Sequence, residues 1–243
     1  MVGHGFVTID KSDKSDKSDT SDTRNRGLIA RIIAHHNSRV FIAACTLVCA
    51  LSAQAQDLAQ EVRRAAQLAP DQATAVTNYV KDHSANLASN DPQQIRRDRA
   101  ALLSPLADEQ ATPAFRIRYS EALAPIIKPL AENASDIVAI NALVLAGDLA
   151  TAAGAEILTK AAGSTKPAIR YQAVYGLRRT FEALGTMLSP TMRTDQIEDL
   201  VKLIGRRLSE ETDALVIDGL VLASVEAMRI TSCLLYTSDA ADE

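Results

Sequence analysis

Residues 165–184 constrain the fold more than any other stretch of this chain, because their side chains recur with the period of a long amphipathic helix. Ile169, Ala173, Leu177, Phe181 and Leu184 fall on one face, and Arg170, Arg178, Arg179 and Glu182 lie largely off it. Small residues at Ala173 and Gly176 let a neighbouring helix come close. Tyr171 and Tyr175, four residues apart, could face a ligand, but the reading adopted is a core or ridge contact.

The same grammar fills residues 56–230, where helical periodicity alternates with short punctuation rich in Pro, Gly, Ser, Thr, Asn and Asp. Helices are predicted over 57–68 and 70–87, then behind the cap-plus-proline pairs Asp91-Pro92 and Thr112-Pro113. Pro125 and Pro129 predict a break or kink near Ala124, since each removes an amide donor and clashes with the preceding turn. Further helices are predicted from Ser135 to about Ala150, over 152–160 and 165–184, over 195–208 behind Thr194, and from Thr212 to near Ile230. Within 195–208, Ile197, Leu200, Val201, Ile204 and Leu208 form an apolar stripe, and Glu198 pairs with Lys202 on the wet side. Residues 137–149 and 215–228 are apolar nearly all round, so both need cover on several sides. Aromatic residues make up 4% of the chain and Trp is absent, so the core is assembled from Ala, Leu, Ile and Val. That composition suits close-packed helices and predicts an all-α fold.

Asn141-Ala142-Leu143-Val144 can be placed over Gln172-Ala173-Val174-Tyr175 and over Asp218-Gly219-Leu220-Val221, at intervals of 31 and 46 residues. Ile117-Arg118-Tyr119 echoes Ile169-Arg170-Tyr171, each shortly after Pro113 or Pro167. On these residues, chiefly 166–177, the stretch 112–230 resembles the HEAT-type (armadillo-like) helical repeat proteins. The resemblance implies a short α-solenoid of stacked antiparallel helix pairs acting as a binding scaffold. Unequal intervals and the proline-rich segment around Pro125 leave an irregular globular helical bundle as the alternative.

The two ends read differently. Residues 1–39 form a polar extension containing the charged triplet Lys11-Ser12-Asp13 in tandem, too polar to bury a core. Residues 40–55 read as a signal peptide: basic Arg24, Arg26, Arg31 and Arg39 precede a short apolar run, and Ala53-Gln54-Ala55 supplies the small-residue cleavage site. The apolar run is about a dozen residues, short of the roughly 20 that span a bilayer, so no stable span remains after leader removal. Ile42-Ala43-Ala44-Cys45 offers lipoprotein anchoring at Cys45 as a minor alternative. Residues 56–232 are the helical repeat domain, expected to be truncated, because residues 233–243 resemble the in-frame translation of a sequencing-library adapter.

The formal net charge of -4 gives no general attraction to phosphate backbones, so nucleic acid is not expected as a partner. His83 is the one histidine between Gln56 and Cys233, and no cysteine lies between them, which leaves no metal cluster or Cys/His nucleophile to assemble. No catalytic residue, cofactor or metal is predicted. Arg96, Arg97, Arg99, Arg116 and Arg118 precede a second group, and stacking could align arginines into a groove for an acidic protein segment or polysaccharide. That second group, Arg170, Arg178, Arg179, Arg206 and Arg207, is the candidate interaction surface. The reading is a periplasmic or secreted, non-enzymatic scaffold for an unknown protein partner. Its alternatives are the front portion of a larger secreted enzyme, or a structural bundle without a stable partner.

Overall fold

The computed structural model describes residues 57–187 and 189–239, with side chains described as far as Ile230. All of them belong to the compact unit Ala55–Glu243. The predicted leader, with Cys45 and the charged triplets, lies outside the described residues. Among the described residues there are nine α-helices and no strand. They are α1 (Gln60–Arg64), α2 (Pro70–Ser84), α3 (Pro92–Leu103), α4 (Pro113–Ala131), α5 (Asp136–Leu149), α6 (Ala152–Ala161), α7 (Pro167–Thr186), α8 (Thr194–Glu210) and α9 (Ala214–Asp239). A 3-10 turn, Ser104–Ala107, follows α3. The protein is all-α.

Local chemistry accounts for the helix starts. Pro70, Pro92, Pro113 and Pro167 each stand in a first turn, where a missing amide costs nothing. Asp91 accepts from the Gln93 amide at 2.9 Å and Thr112 from the Phe115 amide at 3.3 Å, as their positions before proline predict. At α9, whose start was expected at Thr212, the cap is Asp213; its carboxylate takes the amides of Leu215 and Val216 at 3.0 and 3.2 Å. At α8 the helix itself begins on Thr194, and the Gln196 side chain takes the Arg193 amide at 3.0 Å.

Two expectations about helix length are corrected. The first helix closes after five residues at Arg64, far short of residue 68, because the next residue turns to extended backbone. Its carbonyl end is instead bonded across to α4: Thr112 donates its hydroxyl to the Ala65 carbonyl at 2.7 Å and its amide to the Arg63 carbonyl at 2.9 Å. Conversely, α4 runs unbroken through Pro125 and Pro129. Both prolines lie on the exposed face, four residues apart, so the carbonyls they leave without a donor face water. On the opposite face Leu123, Ile127 and Ala131 are buried and hold the helix against its neighbours.

The helices pack as two rows. α2, α4, α6 and α8 touch in that order along one row, and α3, α5, α7 and α9 along the other. Contacts between rows join α2 to α3, α4 to α5, α5 to α6, α6 to α7 and α8 to α9. Side-chain links give the directions. Lys128 bonds Glu156 and Lys160 bonds Glu132, two links between α4 and α6 that both span 28 residues. Asp136 with Lys166 and Asp148 with Arg179 span 30 and 31 residues between α5 and α7. A constant sequence difference belongs to parallel neighbours, whereas antiparallel ones would keep a constant sum. Along the first row the helices begin at Pro70, Pro113, Ala152 and Thr194, intervals of 43, 39 and 42 residues. Along the second they begin at Pro92, Asp136, Pro167 and Ala214, intervals of 44, 31 and 47.

The core lies between the rows. Leu102, Phe115, Tyr119, Leu143, Leu149, Leu158, Leu177 and Phe181 are almost wholly withdrawn from water. Small residues set the closest approach: a Cβ on Gly147 would stand 2.8 Å from the Gly176 Cα, so α5 and α7 meet backbone to backbone.

Candidate interaction surface

Five arginines were singled out by sequence, and the structure distributes them over both rows. Arg170 sits at the start of α7 and grips Glu211 through two bonds of 2.7 and 2.8 Å, while also donating to the Ser164 carbonyl at 3.0 Å. The Arg170 guanidinium bonded to it holds the Glu211 carboxyl at about 2, helped by the amides of Asp213 and Thr212. This pair clamps the α6–α7 loop to the α8–α9 loop. Arg178 pairs with Glu182 at 2.9 Å. Arg179 reaches Asp148 at 2.6 Å and Glu182 at 3.1 Å, and the Asp148 bond leads the effects that raise its pKa.

Arg206 and Arg207 stand on α8 in the other row. Arg207 lies 3.6 Å from Glu210 and packs its guanidinium over Gly163. Arg206 lines a cleft of about 550 Å³ with Thr159, Asp199, Leu200, Lys202 and Leu203. A second cleft of about 210 Å³, between α4, α6 and the start of α7, is rimmed by the Lys128–Glu156 and Glu132–Lys160 pairs. The structure therefore brings Arg178 and Arg179 together with carboxylates and sets Arg206 among mixed charges. Of the earlier arginines, Arg116 is buried: it donates to the Leu106 carbonyl at 2.7 Å and the Asp148 carbonyl at 3.3 Å, and burial pushes its pKa down. Arg99 donates to Asn141 at 2.7 Å, and Arg118 donates to Thr77 at 2.9 Å.

Of the places the sequence left open to Tyr171 and Tyr175, the core is excluded: both are surface residues, 40% and 42% exposed. The signal was present in the helical wheel. They fall outside the stripe of Ile169, Ala173, Leu177 and Phe181, all buried, and on the side of Arg178 and Glu182. On the neighbouring α9, Leu215 is 70% exposed and Leu222 and Val225 are also exposed. A Cβ on Gly219 would lie 3.9 Å from the Tyr171 ring and 3.2 Å from Val174, which places this part of α9 directly beside the tyrosines. The second row thus exposes tyrosines on α7 and apolar residues on the adjoining α9, with the Asp148, Arg178, Arg179 and Glu182 charges nearby on α5 and α7.

Sequence reasoning also missed the buried polar ties. Tyr79 and Tyr119 donate to the carbonyls of Ala101 and Leu102 at 2.7 and 2.8 Å, closing the end of α3. Burial raises the Tyr79 hydroxyl to about 12, with Asp57 adding to it and Arg63 opposing it. His83, half-buried, lies against Tyr79 with ring centroids 4.4 Å apart and tilted planes. Thr180 donates to the Gly147 carbonyl at 3.1 Å, tying α7 to α5 at their point of closest approach. No spacing rule marks such bonds, because each partner is a backbone carbonyl far away in sequence.

Among the described residues no group of three His, Cys, Asp or Glu side chains is placed to hold a metal ion. Among them, too, no helix is long and apolar enough to cross a membrane. Compared with known proteins, the chain matches no protein-family model and no curated protein sequence.

Proposed function

We propose that this chain is an exported helical-repeat scaffold of the HEAT type, which holds a protein partner on the outer face of its second row. The observation that carries the reading is the exposed patch of Tyr171, Tyr175, Leu215, Leu222 and Val225. Rigid aromatic side chains beside aliphatic ones, with charges at the border, form the kind of surface on which binding energy concentrates. The repeat reading is supported by parallel neighbours within each row and by first-row intervals of 43, 39 and 42 residues, close to the period of about 40 to 47 for such repeats. Export rests on the leader in residues 40–55.

A photo-crosslinking residue at Tyr175, in the chain expressed with its leader in a bacterial host, tests the binding face. The reading requires one discrete crosslinked protein that is absent with the crosslinker at Lys202, and a loss of at least about tenfold for Tyr171→Ala/Tyr175→Ala. Equal capture at both positions would refute it. Fractionation tests export: a periplasmic product beginning at Gln56 is the required outcome, and an unprocessed cytoplasmic chain overturns it.

A further inference from the structure

We infer that α9 pairs with α9 of a second copy of this chain, antiparallel and about a two-fold axis. The inference rests on reading this face as protein-binding, and adds one of its partners. Leu215, Asp218, Leu222, Val225 and Arg229 follow one another at steps of three, four, three and four residues, and all five are exposed. That spacing is the seam along which two helices interdigitate side chains. The opposite side of α9 is already engaged, with Val216, Leu220, Ala223, Ala227 and Ile230 buried against the rest of the fold.

The partner's identity follows from where apolar surface is found. Among the described residues ten large apolar side chains are exposed, and five of those belong to α9. None belongs to α1, α2 or α3. A head-to-tail arrangement would need an apolar counter-surface at the α1–α3 end, and the described residues offer no such patch there. A second α9 does offer one, and an isologous contact needs only a patch complementary to itself.

The ends of the seam select the direction. Asp218 lies four residues before Leu222, and Arg229 lies four residues after Val225. With the two-fold axis midway between Leu222 and Val225, each Leu222 meets the other copy's Val225 and each Asp218 meets the other copy's Arg229. A parallel pair would instead oppose Asp218 to Asp218 and Arg229 to Arg229, which like charges disfavour. Within its own helix Arg229 is steadied by Glu226 at 3.0 Å while remaining open to solvent, so its guanidinium is held near the seam.

Sedimentation equilibrium of the full chain over a concentration series tests the proposal. The expected species is a dimer, converted to monomer by Leu222→Asp and by Val225→Asp with helicity by circular dichroism unchanged. Asp218→Arg alone and Arg229→Asp alone are each expected to weaken the dimer about tenfold or more, and the double exchange is expected to restore it. Restoration is specific to the antiparallel arrangement. A chain that stays monomeric up to about 100 µM overturns the proposal. So does a dimer that survives both seam substitutions, or a double exchange no tighter than the single ones. Should Leu222→Asp or Val225→Asp fail to fold, the charge series decides alone, because those positions are already exposed. A monomer that still crosslinks a different protein through residue 175 defeats the dimer and leaves the scaffold reading intact.

Discussion

The same substitution, glycine to alanine, should have opposite effects at two helical positions of this protein. Both Gly147 in α5 and Gly205 in α8 lie inside helices, where alanine is favoured over glycine by roughly 1 kcal/mol. At Gly205 an added Cβ finds nothing within 4 Å, so Gly205→Ala should stabilise by about 0.5–1 kcal/mol. At Gly147 the added Cβ would stand 2.8 Å from the Gly176 Cα and 3.0 Å from the Gly176 carbonyl oxygen, where ordinary contact begins at 3.4 Å. The obstacle is backbone and cannot rotate away, so α5 and α7 must part by about 0.6 Å. Their separation also strains the Arg179–Asp148 pair and the bond from Thr180 to the Gly147 carbonyl. Overpacking of this kind costs about 1–3 kcal/mol, which set against a propensity gain of roughly 1 kcal/mol leaves Gly147→Ala destabilised by up to about 2 kcal/mol. For a domain of this size the two variants should melt several degrees apart, at roughly 2–4 °C per kcal/mol. Thermal melts and urea titrations of both variants, with the m-value checked for constancy, give the answer. If Gly147→Ala is as stabilising as Gly205→Ala, the helices are not in backbone contact and the packing argument fails.

Acid should loosen the clamp on the α8–α9 loop. Because Arg170 depresses the Glu211 carboxyl to about 2, its stabilisation is complete above the ordinary value near 4.5 and is lost as pH falls from there through 2; Glu211→Gln should flatten that part of a urea-midpoint profile taken between pH 5 and 2. Tyr119→Phe should cost about 1–2 kcal/mol, read as a lower melting temperature, since it strands the buried Leu102 carbonyl. Tyr175→Phe, at an exposed position, should stay within about 0.5 kcal/mol.

What could be read from sequence was whatever is local. Proline in a first turn and an Asp or Thr just before it mark a helix start through bonds spanning two or three residues, and Asp91 and Thr112 make those bonds. The start of α9 was expected at Thr212, one residue before the Asp213 that caps it, because either side chain can cap and backbone direction decides between neighbours. The rule that proline ends a helix misjudged Pro125 and Pro129 for a different reason: its penalty depends on whether the freed carbonyls reach water, and only burial on the far side of α4 decides that. Charged residues were the least legible. Arg170, Arg178 and Arg179 read as a candidate interaction surface, yet their carboxylates come partly from the same turn, as Glu182 does, and partly from residues 31 or 41 positions away, as Asp148 and Glu211 do. Charge alone does not tell which arginines are already paired, because an arginine's partners are set by packing. An aromatic side chain that misses its own helix's buried stripe has no such internal outlet, which is why the proposed binding face is centred on Tyr171 and Tyr175 rather than on the five arginines.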